Sequence, residues 1–198
     1  MPYIIAGLGN PGEEYQNTRH NTGRIMLDAI RKEYSKDEFV FNKKINALTA
    51  EGKIGREKVT FVAPETFMNN SGKAIGALIK SVKAAQKLIV IYDDFNLPLG
   101  RIRISFNRSS GGHNGLESII KAVKTEAFLR IRIGVAPETA KGLAKTPHGD
   151  EKIEKFILGP YKEDESKELK KVAKRVVEAV EVIVKEGRDK AMSVFNAG

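Results

Sequence analysis

Histidine and aspartate are the residues of this sequence that could most directly move protons in a reaction. The chain has three histidines, at positions 20, 113 and 148, and Asp93 and Asp94 follow the apolar run LIVIY. An imidazole oriented by a carboxylate is a general base, because the carboxylate fixes the tautomer and stabilises the imidazolium ion. No serine lies in a nucleophile-elbow context and the chain has no cysteine. Such a pair would therefore activate water, and hydrolysis is the predicted reaction class.

Each of these residues also has an ordinary structural interpretation. His113, in SSGGHNGL, could cap or pack at the start of a helix, and His148, in KTPHGD, is expected to be solvated. On a strand, Asp93 and Asp94 point to opposite sides, so one can face a cleft and the other solvent or a turn. His20, in NTRHNTG, becomes a catalytic candidate if a carboxylate can orient it.

The charge of the chain points to a polyanionic partner. The net charge is +9, which favours nucleic acid, although many small basic proteins bind none. Arg101 and Arg103 share one face of RIRIS, Arg130 and Arg132 share one face of LRIRIGVA, and Arg108 follows the first pair. These arginines could bind phosphates or could line a solvated sheet face. Aromatic residues make up only 7% of the chain, so we expect backbone contacts and not base stacking.

Two polar loops could complete a site. In SSGGHNG, the glycines and the following helix start could cradle a phosphate or an oxyanion, or could form an ordinary strand-to-helix loop. In ETFMNNSG, Phe67 and Met68 could offer an apolar surface beside the amide of Asn69. The alternative for that loop is a helix-capping turn with two core residues.

The stretch GLGNPG, residues 7–12, matches the dinucleotide-binding pattern G-x-G-x-x-G letter for letter. Its context argues against NAD. Pro11 forces Asn10 out of the α region, helical periodicity begins only near Thr22, and the nearest acidic candidate, Asp28, lies within that helix. We therefore expect this loop to present the Asn10 amide near a catalytic histidine.

The elements that must position these residues alternate between strands and helices. Apolar and alternating runs predict strands at residues 3–7, 46–54, 57–64, 87–94, 101–105 and 129–136. Amphipathic spacing predicts helices at 22–34, 70–84, 114–124 and 165–187, with a polar loop at 137–152. The expected fold class is α/β: a single-domain three-layer sandwich over residues 1–198, with a mixed twisted β-sheet flanked by helices. In such sheets, sites form beyond the carboxyl ends of the strands.

Composition excludes several other classes of protein. Without cysteine there is no disulfide framework and no thiolate metal site, and the histidines lack ligand spacing. No apolar run approaches the ~20 residues of a membrane span, and the N-terminus lacks the basic region of a signal peptide. We therefore expect a soluble, cytoplasmic protein without metal.

Several segments together closely resemble one family, bacterial-type peptidyl-tRNA hydrolase. They occur in family order and cover nearly the whole chain: GLGNPGEEYQNTRHNTG, PETFMNNSG, YDDFNLPLGRIRI, SSGGHNGLESI, LRIRIGV, FILGPY and AMSVFN. The resemblance implies a monomeric enzyme that cleaves the ester between a peptide and the 3′ ribose of tRNA. Peptidyl-tRNA is the implied partner, and neither a metal nor a cofactor is implied.

The resemblance also implies a role for individual residues. His20 is the base, Asp93 is its orienting partner, and Asn10 helps position His20 and recognise the blocked aminoacyl end. Residues implied in substrate binding are Tyr15, Phe67, Asn69 and Asn114 at the peptidyl and terminal-nucleotide end, Met68 lining the cleft, Arg103 toward the tRNA 5′ phosphate, and Arg132 as a further basic position. We add the hypothesis that Asn69 or Asn114 donates to the oxyanion formed at the ester carbonyl.

The chain departs from the family pattern at a few positions. Ser105 occupies a position that is often basic, so the phosphate contacts would depend on Arg103 with help from Arg101 or Arg108. Ser193 replaces a common asparagine in AMSVFN, and NRSSGGHNG has fewer glycines than usual. These departures concern tRNA affinity more than chemistry. A non-catalytic RNA-binding protein on the same fold is the alternative function, and the presence of both His20 and Asp93 favours the enzyme.

Overall fold

The computed structural model describes residues 1–197 and is built on one seven-stranded sheet. The strands are β1 Tyr3–Gly7, β2 Val40–Asn42, β3 Ala47–Ile54, β4 Glu57–Pro64, β5 Leu88–Pro98, β6 Ile102–Phe106 and β7 Leu129–Ala136. Their order across the sheet is β2-β3-β4-β1-β5-β7-β6. The four central strands β4, β1, β5 and β7 are parallel, and β2, β3 and β6 pair antiparallel at the edges. The predicted mixed sheet is confirmed.

Helices cover both faces of this sheet. They are α1 Thr22–Tyr34, α2 Ser71–Leu78, α3 Val82–Ala85, α4 Asn114–Val123, α5 Asp150–Ile157, α6 Glu163–Glu186 and α7 Arg188–Phe195. Three single-turn 3-10 helices lie at Glu13–Tyr15, Arg19–Asn21 and Met68–Asn70. Helices α1, α6 and α7 pack on one face, and α2 and α4 pack on the other. The three-layer prediction is therefore confirmed.

The two core layers follow from the alternation of side chains along the central strands. In β1, Ile5 packs with the α1 and α6 side of the sheet, and Ile4 and Ala6 pack with the α2 and α4 side. Side chains of a strand point alternately to opposite faces, so a strand covered on both faces must be apolar throughout. Each fully buried isoleucine contributes about 1.5–3 kcal/mol through apolar burial.

The glycines of GLGNPG serve the packing of α1. A Cβ on Gly23, in the first turn of α1, would lie 2.2 Å from the carbonyl oxygen of Ile91, and one on Gly7 would lie 2.3 Å from that of Gly23. The helix thus contacts the backbone at the ends of β1 and β5 directly. Because α1 begins only at Thr22, residues 13–21 separate it from the glycine loop, whereas in a dinucleotide site the loop runs directly into the helix.

Several predicted elements were wrong in extent. The single helix predicted at 70–84 is two helices, because Ile79 is extended and the Ser81 hydroxyl accepts a bond from the amide of Ala84, which starts α3. Serine at such a position favours a cap over a helix interior. The strand predicted at 87–94 continues to Pro98, and the loop predicted at 137–152 ends in α5. Strand β2 and helix α7 were not predicted at all.

The carboxyl ends of the parallel strands converge on one edge of the sheet. Strand β1 leads into residues 8–21, β4 leads into residues 65–70, and Asp93 lies toward the carboxyl end of β5. Within residues 1–197, every helix is too short or too polar to cross a membrane.

Candidate active site

A buried, hydrogen-bonded pair formed by His20 and Asp93 lies at the convergence of these strands. Asp93 belongs to β5, which pairs with β1 on one side and β7 on the other, and is only 2% exposed. His20 lies in the 3-10 turn between the β1 loop and α1 and is 7% exposed. Its Nδ1 is 3.0 and 3.1 Å from the two oxygens of the Asp93 carboxylate.

His113 is a second partner of the same carboxylate. Its Nε2 lies 3.2 Å from Oδ1 of Asp93, and its Nδ1 accepts a hydrogen bond from the amide of Leu116 at 3.3 Å. The expected helix-capping role is thus confirmed, since His113 is the N-cap of α4. Its contact with Asp93 was missed by sequence reasoning. We call His20, Asp93 and His113 the His–Asp–His cluster.

The electrostatics of the cluster fix its proton positions. Burial alone would raise the pKa of Asp93, but the charge of His20 and the hydrogen bonds from His113 and His20 hold that pKa well below its usual range. An ionised carboxylate only accepts hydrogen bonds. His20 must therefore donate through Nδ1 and His113 through Nε2.

This arrangement leaves Nε2 of neutral His20 with a lone pair. Burial lowers the pKa of His20, but the charge of Asp93 and its hydrogen bond raise that pKa by more, so that it lies above 6.5. A neutral imidazole with a free lone pair and a pKa raised by a neighbouring carboxylate is suited to general-base catalysis. The cluster can therefore accept a proton from water or from another acidic group.

A network of amides ties Asn10 to the turn that carries His20. The backbone amide of Asn10 donates to Oδ1 of Asn21 at 2.8 Å, and Nδ2 of Asn21 donates to the carbonyl of Asn10 at 2.9 Å. The amide of Met68 donates to Oδ1 of Asn10 at 2.8 Å. The carbonyl of the Asn10 side chain is thereby occupied, and its NH₂ group is the part that can donate to a substrate. Asn21, which sequence reasoning missed, fixes this orientation.

The segment 67–70 contributes an apolar surface and an amide. Phe67 is 58% exposed and contacts Tyr15 edge-to-face, with ring centroids 6.5 Å apart. Met68, which the resemblance places in the lining of the cleft, is 4% exposed and packs in the core cluster that contains Leu8 and Leu116. Its contribution to the site is the backbone N–H that orients Asn10.

Asn69 and Asn114 lie together on an open cavity of about 450 Å³ beside this segment. Both asparagines are exposed, and Asn114 is the first residue of α4, directly after His113. Two side-chain amides on one open surface can donate to an oxygen-rich ligand. Their position next to Met68 and His113 in the chain ties this cavity to Asn10 and Asp93.

On the other side of His113 is a cavity of about 520 Å³ that is rich in arginine. We call it the arginine cavity; its basic lining residues are Arg103, Arg108, Arg130 and Arg132, and it also reaches Asp93 and His113. Nε of Arg132 donates to Oδ2 of Asp94 at 2.6 Å, and Nη1 of Arg103 donates to the carbonyl of Asn196 at 3.1 Å. Asp93 and Asp94 both line this cavity but have different partners, the two histidines for Asp93 and Arg132 for Asp94.

Arg130 is the buried member of the arginine cavity. Its Nη1 donates to the carbonyl of Ser109 at 3.1 Å, while its buried Nε and Nη2 have no hydrogen-bond partner among the described residues. Burial lowers the pKa of this guanidinium. Unpaired buried donors are costly. Because these two nitrogens are closed to solvent, the accessible charge of the cavity comes from Arg103, Arg108 and Arg132.

The donor atoms of the His–Asp–His cluster lie within 4.8 Å of one another, close enough to consider a metal. Each ring nitrogen that faces Asp93 is already engaged with its carboxylate. Hydrogen bonding therefore accounts for the cluster without an ion.

Comparison with known proteins agrees with the resemblance seen in the sequence. The sequence model of the family described as peptidyl-tRNA hydrolase matches residues 4–198. A peptidyl-tRNA hydrolase from Desulfitobacterium hafniense is 40% identical over 194 residues, which is 98% of either chain. One from Caldanaerobacter subterraneus is 42% identical over 195 residues, covering 98% of this chain and 99% of that one.

A solved structure shares the fold at lower identity. The crystal structure of peptidyl-tRNA hydrolase from Acinetobacter baumannii superposes with a TM-score of 0.87 at 27% identity, covering 99% of this chain and 95% of that one. The family match spans nearly every residue, including all three members of the His–Asp–His cluster. The chain therefore belongs to the peptidyl-tRNA hydrolase family of enzymes.

Proposed function

We propose that this chain hydrolyses the ester bond between the peptide and the 3′ ribose of peptidyl-tRNA, with His20 as the general base. The observation that carries the proposal is the buried contact of His20 Nδ1 with the Asp93 carboxylate at 3.0 Å. That contact orients the ring and leaves Nε2 as the atom that can take a proton. Membership of the family supplies the substrate class.

The reaction begins when Nε2 of His20 takes a proton from water. The hydroxide attacks the ester carbonyl carbon and forms a tetrahedral intermediate, while Asp93 stabilises the imidazolium ion. The intermediate collapses by breaking the bond to the 3′ oxygen of the ribose. The imidazolium returns its proton to that oxygen, so that the free peptide and tRNA leave and neutral His20 is restored.

Side-chain amides near the cluster bind the peptidyl group and stabilise the charge that forms at the ester carbonyl. The NH₂ group of Asn10 is free to donate to the peptidyl group because its carbonyl accepts from Met68. Asn69 or Asn114 supplies a donor for the developing oxyanion, which in acyl transfer is often the largest single contribution to the rate. The Tyr15–Phe67 surface packs against apolar parts of the peptidyl and terminal-nucleotide end.

The tRNA moiety binds through phosphates. The arginine cavity opens beside His113, and the accessible guanidinium groups of Arg103 and Arg132 suit a phosphate group. Phosphate contacts fix register without reading sequence, so this mode of binding does not depend on the nucleotide sequence of the tRNA. Ser105 lines the same cavity without adding charge.

The proposal is tested by release of N-acetyl-amino acid from N-acetyl-aminoacyl-tRNA without added metal. We expect cleavage by the unmodified chain, near-complete loss in His20→Ala and impairment in Asp93→Asn, with KM rising as salt is raised. If the unmodified chain binds the tRNA and leaves the ester intact, the fold serves RNA binding and the catalytic assignment is wrong.

A further inference from the structure

The turn that carries His20 is hydrogen-bonded to the connection between α5 and α6. Thr18 forms an isolated antiparallel bridge with Pro160, the amide of Arg19 donates to the carbonyl of Gly159 at 3.1 Å, and the amide of Tyr161 donates to the carbonyl of Asn17 at 3.1 Å. The turn Arg19–Asn21 is a single 3-10 turn without a side-chain cap. Its position therefore depends on these neighbours.

The guanidinium group of Arg19 makes several contacts with this connection between α5 and α6. Its Nη1 donates to the carbonyls of Phe156, Gly159 and Pro160, at 3.5, 3.2 and 3.0 Å. Its Nη2 donates to both oxygens of the Glu165 carboxylate, at 3.0 and 2.8 Å. The guanidinium also lies over the ring of Phe156, 4.6 Å from its centroid. Arg19 is only 7% exposed, so these contacts are shielded from water.

This guanidinium joins the end of one helix to the start of the next. The carbonyls that it binds follow or end α5, where the last turn leaves carbonyls without partners. Glu165 lies in the first turn of α6 and also accepts from the amide of Lys162 at 2.7 Å. Gly159 leaves room for the contact, because a Cβ there would lie 3.2 Å from Nη1 of Arg19.

We propose that Arg19 and Glu165 are positioning residues that hold the His20 turn in register with Asp93. The inference rests on the proposed function, since it assumes that His20 is the base. Neither residue lines the arginine cavity or the cavity at Asn69 and Asn114. Loosening the pair therefore shifts His20 relative to Asp93 and to the ester, and misplacement by about 1 Å costs on the order of 10²-fold in rate. The loss falls on kcat and not on KM.

Two conservative variants test this pair, and the chain offers a matched control. Arg19→Lys keeps the charge but replaces a planar five-donor fork by a point charge, and Glu165→Gln keeps the shape and removes the charge. The control is Arg31→Lys. Arg31 is likewise buried, binds Asp28 and the carbonyl of Asp37, and lies 5.6 Å from a phenylalanine ring, but in the last turn of α1.

We expect the positioning variants and the control to lower the melting temperature similarly but to differ in kcat. We expect kcat to fall by about 10- to 100-fold in Arg19→Lys and about 10-fold in Glu165→Gln, with KM within about two-fold of the unmodified chain. The double variant should lose less than the product of the two single losses, because the residues act as a pair. Arg31→Lys should lower the melting temperature comparably and leave kcat within about two-fold.

A second readout reports on the ring itself. In ¹⁵N-histidine NMR spectra, the Nδ1–H signal of His20 should shift or broaden in Arg19→Lys and Glu165→Gln and stay unchanged in Arg31→Lys. A purely structural role for Arg19 would lower the melting temperature without moving this signal.

Several outcomes would overturn the inference. Folded Arg19→Lys and Glu165→Gln with unmodified kcat would do so, as would a loss no larger than that of Arg31→Lys, or a rise in KM alone. If Arg19→Lys does not fold, Glu165→Gln decides the question by itself. His20→Ala, measured in parallel, separates the two proposals: if it stays active, the proposed function fails, and if only the positioning variants stay active, only this inference fails.

Discussion

The His–Asp–His cluster and the arginine cavity meet at His113 but are constructed differently. In the cluster, His20 and Asp93 are almost completely buried, and each nitrogen that faces the carboxylate lies 3.0–3.2 Å from its nearest oxygen. In the arginine cavity, Arg103 is exposed, Arg132 is partly exposed, and their partners are Asn196 and Asp94 on neighbouring segments.

The two regions are therefore expected to act differently: the cluster acts through fixed geometry, and the arginine cavity acts through charge. Buried hydrogen-bonded groups act at fixed positions, so removal of one atom changes the orientation of its partner. Exposed arginines act through charge over several ångströms, so one can partly replace another and salt weakens them all. Changes in the cluster should therefore appear in kcat, and changes in the arginine cavity should appear in KM and its salt dependence.

The largest effect is expected from His20. His20→Ala removes the base, and kcat should fall roughly 10³-fold, within the range of general-base contributions. The double variant with Asp93→Asn should be scarcely slower than His20→Ala alone, because residues that act as a unit are not additive. Single-turnover cleavage of N-acetyl-aminoacyl-tRNA measures both. A double variant slower by the product of the single losses would show that Asp93 acts independently of His20.

Asp93→Asn should have the next largest effect, about 10²-fold in kcat. An asparagine amide is uncharged and replaces one carboxylate oxygen by an NH₂ donor, so it stabilises the His20 imidazolium less and accepts from the histidines through one oxygen only. Asp94→Asn is the control, because it removes the same charge one residue later without touching either histidine. We expect that control to keep kcat. Equal losses in the two variants would mean that net charge, and not orientation, is what matters.

His113→Asn should lower kcat by about 10-fold, less than either change above, because Asp93 still orients His20. Asparagine is a good N-cap, so the start of α4 is retained while the shorter side chain no longer donates to Asp93. Circular dichroism and the melting temperature check that α4 is intact. A variant with an intact helix and unmodified kcat would show that the contact of His113 with Asp93 does not contribute to catalysis.

Arg132→Met and Arg103→Met should have the smallest effects, each raising KM about three- to ten-fold with kcat unchanged. Each should also reduce the slope of log KM against log salt by about one, as expected for one lost phosphate contact. The control is Lys53→Met, an exposed lysine on β3 toward the opposite edge of the sheet. If Lys53→Met reduces the slope equally, tRNA is attracted by overall charge and not by the arginine cavity.

These regions also differ in how far the sequence predicted them. The run LIVIYDD predicted β5 and the position of Asp93 near the end of its regular pairing with β7, although the strand itself continues to Pro98. The contact with His20 joins residues 73 positions apart. Spacing along the sequence could not predict this contact, because it depends on the order of the parallel strands in the sheet.

The features that were missed depend on tertiary contacts. His113 was recognised as a possible cap, but its second nitrogen reaches Asp93 only because α4 begins beside β5. Arg19 gave no signal beyond its place next to His20, since its partners follow more than a hundred residues later. The break at Ile79 was missed because the apolar residues on both sides of Ser81 keep helical spacing, although serine itself favours a cap. Local patterns thus predicted elements, and long-range packing decided which side chains meet.

The central claim is that His20, with a pKa raised by Asp93, is the catalytic base. Its most direct test is the pH dependence of kcat/KM measured beside an NMR titration of the His20 ring. A base must be neutral to act, so activity should rise with pH through a midpoint above 6.5 that coincides with the His20 pKa, and both should move down in Asp93→Asn. A midpoint that does not follow the His20 titration, or that stays fixed in Asp93→Asn, would contradict the account.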